Sequence, residues 1–235
     1  RLTGATPILV DVEPDSWAID PDKIEQLITP RTKAIIVVHP FGHAADMDRI
    51  MPIAEKYGVK VIEDVAEAPG ALYKGRILGT FGDLACYSFF ANKIMTTGEG
   101  GMVICNTPEL DEALRVYRDH GMSRQKRYVH IVAGFNYRMT NMQASIGLAQ
   151  VKRLSDILKN RSVQAQLYEK HFLAFQKAAW RPNRDYSSSV HWMATITIRT
   201  EELRDSLLEH LASQGVDARQ MIFPVHMAEP YKNHN

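Results

Sequence analysis

Short apolar runs alternate with segments of helical periodicity in the first part of the chain. Residues 34–38 are continuously apolar, which is typical of a strand covered on both faces. After Asp46, the apolar positions follow the 3.6-residue period of a helix that Gly58 ends. Residues 59–62 predict a second short buried strand. A strand, a helix and a strand at this spacing predict a βαβ unit and a mostly parallel sheet.

The pattern continues with elements of both kinds. Thr140 and Gln143 form a capping box that begins a long, bent helix reaching Phe175. We therefore predict an α/β protein with a large domain over residues 1–158, and with a linker helix and a partial small α/β domain over residues 159–235. Further strands are predicted at residues 7–12, 84–89, 102–105, 190–198 and 216–219, and further helices at residues 21–28, with Asp20 as N-cap, 108–120 and 201–213.

Composition narrows the function classes. The 28 basic and 27 acidic residues give a net charge of +1, so no overall field attracts nucleic acid or an anionic membrane. No apolar run is long enough to cross a bilayer. Cys86 and Cys105 lie in apolar stretches, which favours reduced thiols and a cytoplasmic protein. Because the chain starts without Met and ends on a polar tail at residues 231–235, we expect a fragment.

Candidate chemistry concentrates in residues 61–103, where glycines are dense between apolar strands. Pyridoxal phosphate (PLP) needs a lysine for its aldehyde, an anion near its ring nitrogen and donors for its phosphate. Lys93, Asp64 and Ser88 supply these groups from neighbouring strand ends and the loop beyond. On spacing alone, a solvated lysine and a capping carboxylate remain open. A nicotinamide enzyme is disfavoured, because the chain has no dinucleotide fingerprint.

Three further features outside the glycine-rich stretch could have structural or functional roles. His39 and His43 flank a Phe-Gly pair and suggest metal ligands, but no partner has ligand spacing, which favours structural roles. Trp192 lies in an alternating segment and is most simply a core residue. Residues 123–130 form a basic loop that either binds a sugar-nucleotide diphosphate or is solvated.

Several ordered blocks of this sequence resemble the DegT/DnrJ/EryC1/StrS family. They are VIEDVAEAPGALYKGRILGTFGDLACYSFFANKIMTTGEGGMV, VHPFGHAADM, DHGM and GFNYRMTNMQASIG. The resemblance implies the aspartate aminotransferase fold (fold type I) with PLP as cofactor. It also implies that a family segment carrying a phosphate loop and a ring-stacking aromatic precedes residue 1.

The same resemblance assigns roles to four residues of the glycine-rich stretch. Lys93 would be the Schiff-base lysine and would then move protons, and Asp64 would pair with the ring nitrogen. Glu67 stands near the position of the ring hydroxyl, and Ser88 would bind the phosphate. The dehydratase branch of the family has His at the lysine position, so Lys93 favours amino transfer.

The resemblance further implies partners. Asn136 matches an asparagine that reaches the neighbouring subunit's cofactor phosphate, which implies a homodimer with shared sites. Arg138 is a further candidate there. The basic character of the loop at residues 123–130, and not the resemblance, makes Arg124, Lys126 and Arg127 candidates for substrate binding, together with Arg138. The implied reaction transfers an amino group from glutamate to a nucleotide-linked keto-deoxysugar. A non-catalytic or regulatory protein that binds a sugar nucleotide is the alternative.

Overall fold

The computed structural model describes residues 3–175, 178–181 and 183–229, so the predicted polar tail lies outside the described residues. The helices are α1 (Pro21–Ile24), α2 (Met47–Tyr57), α3 (Pro108–Arg118), α4 (Asn141–Val151), α5 (Leu154–Phe172) and α6 (Glu201–Ser213), with 3-10 turns at Glu25–Leu27, Pro40–Gly42 and Val225–Met227. The strands are β1 (Ala34–Val38), β2 (Lys60–Asp64), β3 (Leu72–Tyr73), β4 (Arg76–Ile77), β5 (Leu84–Ser88), β6 (Gly101–Cys105), β7 (Ala178–Trp180), β8 (Ser187–Ser188) and β9 (Ile196–Ile198). None of the described helices combines the length and the apolar character that a membrane span requires.

Four strands form the main sheet in the order β1-β2-β5-β6. The first three are parallel, and β6 runs antiparallel to β5. Asp64 lies opposite Val38 on one side and Cys86 on the other, so the carboxyl ends of the parallel strands share one edge. Ligands of open α/β sheets bind beyond this edge. The predicted α/β class, βαβ unit and mostly parallel sheet are confirmed.

The two faces of β1 differ. Ile35 and Val37 are buried in the core, whereas Ile36 is 61% and Val38 43% exposed. The prediction that both faces of this strand are covered is therefore wrong for the described residues. The buried positions of α2 belong to the same core as Ile35 and Val37, and no comparable cluster among the described residues covers the opposite face.

Helix α2 begins and ends where the sequence predicts. Asp46 is the N-cap residue, but its carboxylate accepts a hydrogen bond from the Tyr73 hydroxyl (2.6 Å) and none from the helix's first N–H groups. Gly58 adopts a left-handed φ of 62°, and its N–H donates to the Ala54 carbonyl. This conformation is unfavourable for residues with a Cβ, which explains why glycine ends the helix.

The predicted long helix is divided into α4 and α5 at Lys152 and Arg153. The predicted capping box is present at the start of α4. The Gln143 N–H donates to the Thr140 hydroxyl (3.2 Å), and the Thr140 N–H donates to the Gln143 side chain (2.9 Å). The prediction of one continuous helix is therefore wrong, and α5 ends at Phe172, before the predicted end at Phe175.

The last part of the chain is less regular than predicted. The 190–198 segment is a strand only at β9, which pairs with β7, because residues 190–192 instead bond to the backbone of Phe41 and Gly42. No strand forms at 216–219, where the side chains are exposed and lack an adjacent strand. At residues 7–12 only an isolated bridge from Val12 to Ile19 forms. The boundary at residue 158 stays a prediction.

Candidate active site

Neighbouring carboxylates at the end of β2 have different surroundings because successive side chains of a strand point to opposite faces. Asp64 is half-buried at the sheet edge, where one carboxylate oxygen accepts the Ala66 N–H (3.0 Å). Within the described ranges it forms no ion pair. Its second oxygen is therefore available to a cationic group at the carboxyl end of the sheet.

Glu63 is fully buried, and both of its carboxylate oxygens accept hydrogen bonds. Its carboxylate accepts the backbone N–H groups of Gly79, Phe81 and Gly82, each at 2.7 Å. The His39 ring lies 3.2 Å away and donates through Nε2, because its Nδ1 accepts the Ala45 N–H. Burial acts to raise the pKa of Glu63, but the bonds from His39, Gly82 and Gly79 leave it below its ordinary value. Glu63 thus fixes the turn after β4, and sequence reasoning assigned it no such role.

The loop that carries Lys93 follows β5 directly and folds back on itself. The Phe89 N–H donates to the Gly100 carbonyl, and the Thr97 N–H donates to the Phe89 carbonyl, both at 2.9 Å. The Lys93 N–H donates to the Phe90 carbonyl at 3.0 Å. Gly100 has a φ of 148°, and a Cβ there would lie 2.6 Å from the Thr97 hydroxyl oxygen. The predicted glycine requirement is therefore steric at this turn.

Helix α4 fixes the same loop from the other side. The Gln150 side chain makes two 2.9 Å bonds with Thr96, accepting its N–H and donating to its carbonyl. Gln143 donates to the Glu99 carbonyl at 3.0 Å. Sequence reasoning missed this function of the two glutamines, although their separation of seven residues places them on one face of the helix.

The Lys93 side chain points into the protein and not into solvent. It is 14% exposed, and its Nζ lies 3.8 Å from Glu67 Oε1 and 4.1 Å from the centre of the Trp192 ring. The other oxygen of Glu67 accepts the Phe41 N–H at 2.7 Å. Burial raises the pKa of Glu67 and nearby Asp64 adds to this, whereas the Phe41 N–H and Lys93 oppose it. Among the described residues, Glu67 and not Asp64 is therefore the carboxylate that pairs with the predicted lysine.

Trp192 is buried, as predicted, but it also contacts the candidate site. Its ring stacks on Phe41 with centroids 6.0 Å apart, and its Nε1–H donates to the Asn92 carbonyl at 2.8 Å. The cation–π contact with Lys93 joins residues far apart in the sequence, and no local pattern indicated it.

Ser88 ends β5 opposite Gly101. Its hydroxyl oxygen accepts the Phe90 N–H at 3.3 Å, so the hydroxyl proton is available as a donor at the strand end. Lys93, Asp64, Glu67 and Ser88 thus lie on adjoining strand ends and the loop beyond, as the sequence predicts. An amine, a carboxylate with an unused oxygen and a hydroxyl donor fit the aldehyde, ring nitrogen and phosphate of PLP.

The other predicted binding residues lie on the exposed segment after α3. The backbones of Asn136 and Asp119 form an isolated bridge, and Arg138 donates to the Asp119 carboxylate at 3.3 Å. Arg124 pairs with Glu112. The structure places Arg124 and Arg138 at one cavity of about 200 Å³, but not Lys126 or Arg127, and Arg115 and Arg118 complete its basic lining.

His39 and His43 have the structural surroundings that the sequence favoured. The ring of His43 is buried, with Nδ1 2.8 Å from the Ala44 carbonyl oxygen and Nε2 accepting the Arg184 N–H at 3.0 Å. Burial, aided by Arg181, lowers the pKa of His43 to about 3. No group of three or more potential metal ligands occurs among residues 3–175, 178–181 and 183–229.

Comparison with known proteins agrees with this geometry. The chain is 41% identical over 238 residues to GDP-perosamine synthase of Escherichia coli O157:H7, covering 100% of this chain and 65% of that protein. Its fold matches DesV of S. venezuelae with a TM-score of 0.91 and 35% identity, over 98% of this chain and 62% of DesV. The PLP form of the putative sugar aminotransferase Spr1654 of Streptococcus pneumoniae also has a TM-score of 0.91, at 27% identity, over 98% of this chain and 64% of that one.

The chain therefore spans less than two thirds of the length of these relatives. The sequence profile described as the DegT/DnrJ/EryC1/StrS aminotransferase family matches residues 1–235, the whole chain. Together with the fold and the strand-end residues, this match shows that the chain belongs to the DegT/DnrJ/EryC1/StrS aminotransferase family.

Proposed function

We propose that this chain is the cofactor-binding part of a PLP-dependent aminotransferase that acts on a nucleotide-linked keto-deoxysugar. The amino donor is glutamate. The acceptor is GDP-4-keto-6-deoxymannose, which yields GDP-perosamine for surface polysaccharides such as lipopolysaccharide O-antigen. The similarity to GDP-perosamine synthase supports this acceptor, and the absence of a long apolar helix in the described part is compatible with the predicted cytoplasmic location.

One observation carries the proposal. The Lys93 side chain is only 14% exposed and its amine lies 3.8 Å from Glu67, at the edge of the sheet where Asp64 has an unused oxygen. A lysine in an ordinary loop extends its charged end into water. Here the amine is instead enclosed among groups that match a cofactor.

Each of the four residues of the site would have a separate role with PLP bound. When bound, PLP supplies an aldehyde that an amine attacks and a protonated ring that takes up electrons. Asp64 would keep the proton on the ring nitrogen, and Ser88 would donate to the phosphate. Glu67 would accept or donate a hydrogen bond near the ring hydroxyl. Lys93 would carry the cofactor between turnovers and move a proton during the transfer.

The exposed segment after α3 would complete the site of a second copy. In this homodimer, Asn136 reaches the partner's cofactor phosphate, and Arg138 and Arg124 bind the phosphates of the nucleotide. Lys126 and Arg127 lie on the same loop and add positive charge. The exposure of Arg124 and Arg138 at a basic cavity supports this arrangement, because a diphosphate needs charge-assisted donors.

The proposal is tested by adding PLP to the purified protein and following its absorbance. The wild type should turn yellow, and glutamate should bleach the colour, while Lys93→Ala should lose the covalent absorbance. Lys93→Arg is the matched control, since it keeps the charge but not the nucleophile. A protein that stays colourless at saturating PLP contradicts the proposal. A coloured protein that glutamate does not bleach selects the non-catalytic alternative.

The acceptor is identified in a second experiment. Protein preloaded with the amino group from glutamate is offered GDP-, dTDP- and UDP-linked keto sugars, and the amino sugar formed is measured by mass spectrometry. The GDP-linked 4-keto sugar should react fastest. Faster turnover of a dTDP- or UDP-linked sugar would contradict the assignment to perosamine and leave the aminotransferase proposal intact.

A further inference from the structure

Two loops from distant parts of the chain are joined next to Lys93. The Val190 N–H donates to the Gly42 carbonyl at 3.1 Å, and the Trp192 N–H donates to the Phe41 carbonyl at 3.2 Å. We call residues 41–42 and 190–192 the clasp. Its packing requires glycine, because a Cβ on Gly42 would lie 2.7 Å from Val190 Cγ2.

The backbone of the clasp is strained on both sides. Phe41 has a φ of 53° and His191 a φ of 49°, and both are left-handed conformations that side chains with a Cβ adopt rarely. Such conformations persist only where the surrounding structure requires them, and they concentrate at functional sites. The strained clasp is therefore expected to position residues of a functional site.

The clasp positions both neighbours of the Lys93 amine. On one side, the Phe41 N–H donates to Glu67, whose other oxygen is 3.8 Å from Nζ. On the other side, Trp192 presents its ring face 4.1 Å from Nζ. Trp192 also donates to the carbonyl of Asn92, which directly precedes Lys93, so it contacts both the side chain and the backbone of the lysine segment.

A tryptophan that merely filled the core would not need this arrangement. Its ring would be surrounded by apolar groups, whereas here one face is occupied by an amine. A lysine side chain has four flexible bonds, and an unrestrained amine spends much of its time away from the position from which it reacts. A ring face that attracts the cation reduces this freedom and limits access by other reagents.

We propose that Trp192 is a positioning residue that holds the Lys93 amine at the carboxyl edge of the sheet, where it captures a cofactor aldehyde. The inference rests on the proposed function, since that function makes Lys93 the reacting group. It adds a residue 99 positions further along the chain whose indole face, fixed by the clasp, determines how fast Lys93 reacts.

The experiment compares Trp192→Leu with Trp192→Phe in the purified protein. PLP is added, samples are reduced with borohydride at increasing times, and the phosphopyridoxyl adduct on Lys93 is quantified by mass spectrometry. Loss of the ring should slow adduct formation about tenfold, whereas Phe, which keeps an aromatic face, should remain within about threefold of wild type. Trp180→Leu is the matched control, because Trp180 stacks on Tyr168 and Phe172 and should leave the rate unchanged.

A second readout separates positioning from general loosening. The cofactor-free proteins are trace-labelled with acetic anhydride, and acetylation of Lys93 is measured. Trp192→Leu should be acetylated faster than wild type, because the amine is less covered, although it captures PLP more slowly. If both rates rise, the indole only shields the amine and the inference is overturned. Thermal melting confirms that each variant is folded, and Trp192→Met replaces the leucine variant if that variant unfolds.

The two hypotheses fail in different ways. If the wild type forms no adduct on Lys93, the proposed function itself is removed. If the wild type forms the adduct and Trp192→Leu forms it equally fast, only the positioning role is refuted. A Trp192→Phe protein as slow as Trp192→Leu also contradicts the inference, because the aromatic face would then have no effect.

Discussion

Two regions of the molecule carry the residues predicted for chemistry, and they differ in how completely one chain arranges them. In the strand-end site (Asp64, Glu67, Ser88 and Lys93), the lysine side chain is 14% exposed, and α4 and the clasp fix its surroundings. In the arginine loop (residues 119–139), Arg138 is 62% exposed. Contacts within this chain fix the groups of the first region, whereas the second region presents its charge to solvent. The proposed covalent chemistry and the proposed substrate recognition would therefore have separate structural supports.

The largest effect should come from breaking the scaffold of the strand-end site. Glu63→Ala leaves the N–H groups of Gly79, Phe81 and Gly82 buried without their acceptor, and it should cost about 3–5 kcal/mol of unfolding free energy in urea titrations. Asp111→Ala removes an exposed carboxylate and should leave the stability nearly unchanged. A loss below about 1 kcal/mol for Glu63→Ala would show that this carboxylate does not organise the turn.

A second substitution removes the charge of the site but not its shape. Asp64→Asn should still form the Lys93 adduct with PLP, whereas amino transfer from glutamate should fall about 10²–10³-fold, because a neutral partner stabilises the ring's positive charge poorly. Single-turnover bleaching measures the transfer, and borohydride trapping measures the adduct. Wild-type transfer rates in this variant would refute the role of Asp64.

The pH dependence of the unfolding free energy tests the burial of His43, which directly follows Gly42 of the clasp. Burial lowers the pKa of His43 to about 3 in the folded chain, against 6.5 in the unfolded chain, so between pH 6.5 and about 3 only the unfolded chain takes up this proton. The His43 contribution is therefore complete above pH 6.5 and should fall by roughly 2 kcal/mol between pH 6.5 and 5. His43→Asn should flatten the stability curve in this window. An unchanged slope would mean that His43 is not buried as a neutral ring.

The smallest predicted effect belongs to the arginine loop. Arg124→Ala should raise the KM for the nucleotide sugar about tenfold, through loss of a charge-assisted contact to phosphate, and it should leave the KM for glutamate unchanged. Lys126→Ala is the matched control, because Lys126 does not line the basic cavity and should have a smaller effect. Equal effects of the two substitutions would show that the loop acts only through its overall charge.

The sequence predicted the features that depend on local patterns. The short strand patterns at β1 and β2, the glycine that ends α2 and the capping box of α4 are periodic or local signals, and the structure has all of them. The predicted strand at 190–198 was mostly wrong, because its first residues bond to Phe41 and Gly42 and not to a neighbouring strand. No local signal reports such a distant partner.

The candidate site likewise combines residues that the sequence indicated with contacts that it did not. Resemblance to family blocks indicated Lys93, Asp64, Glu67 and Ser88, and the structure brings them to one edge. The contact of Trp192 with the amine and the loop bonds of Gln150 depend on tertiary packing, so the sequence did not indicate them. Asn136 and Arg138 stay predictions, since their proposed roles require a second chain.

The central claim is that the strand-end site is built to hold PLP on Lys93, and mapping the borohydride-reduced adduct tests it most directly. Wild-type protein is saturated with PLP, reduced, digested and sequenced by mass spectrometry, with Lys93→Ala treated in parallel. We predict one dominant phosphopyridoxyl adduct, on Lys93, and its loss in the variant. Adducts distributed over exposed lysines such as Lys56 and Lys60, with Lys93 unmodified, would contradict the account.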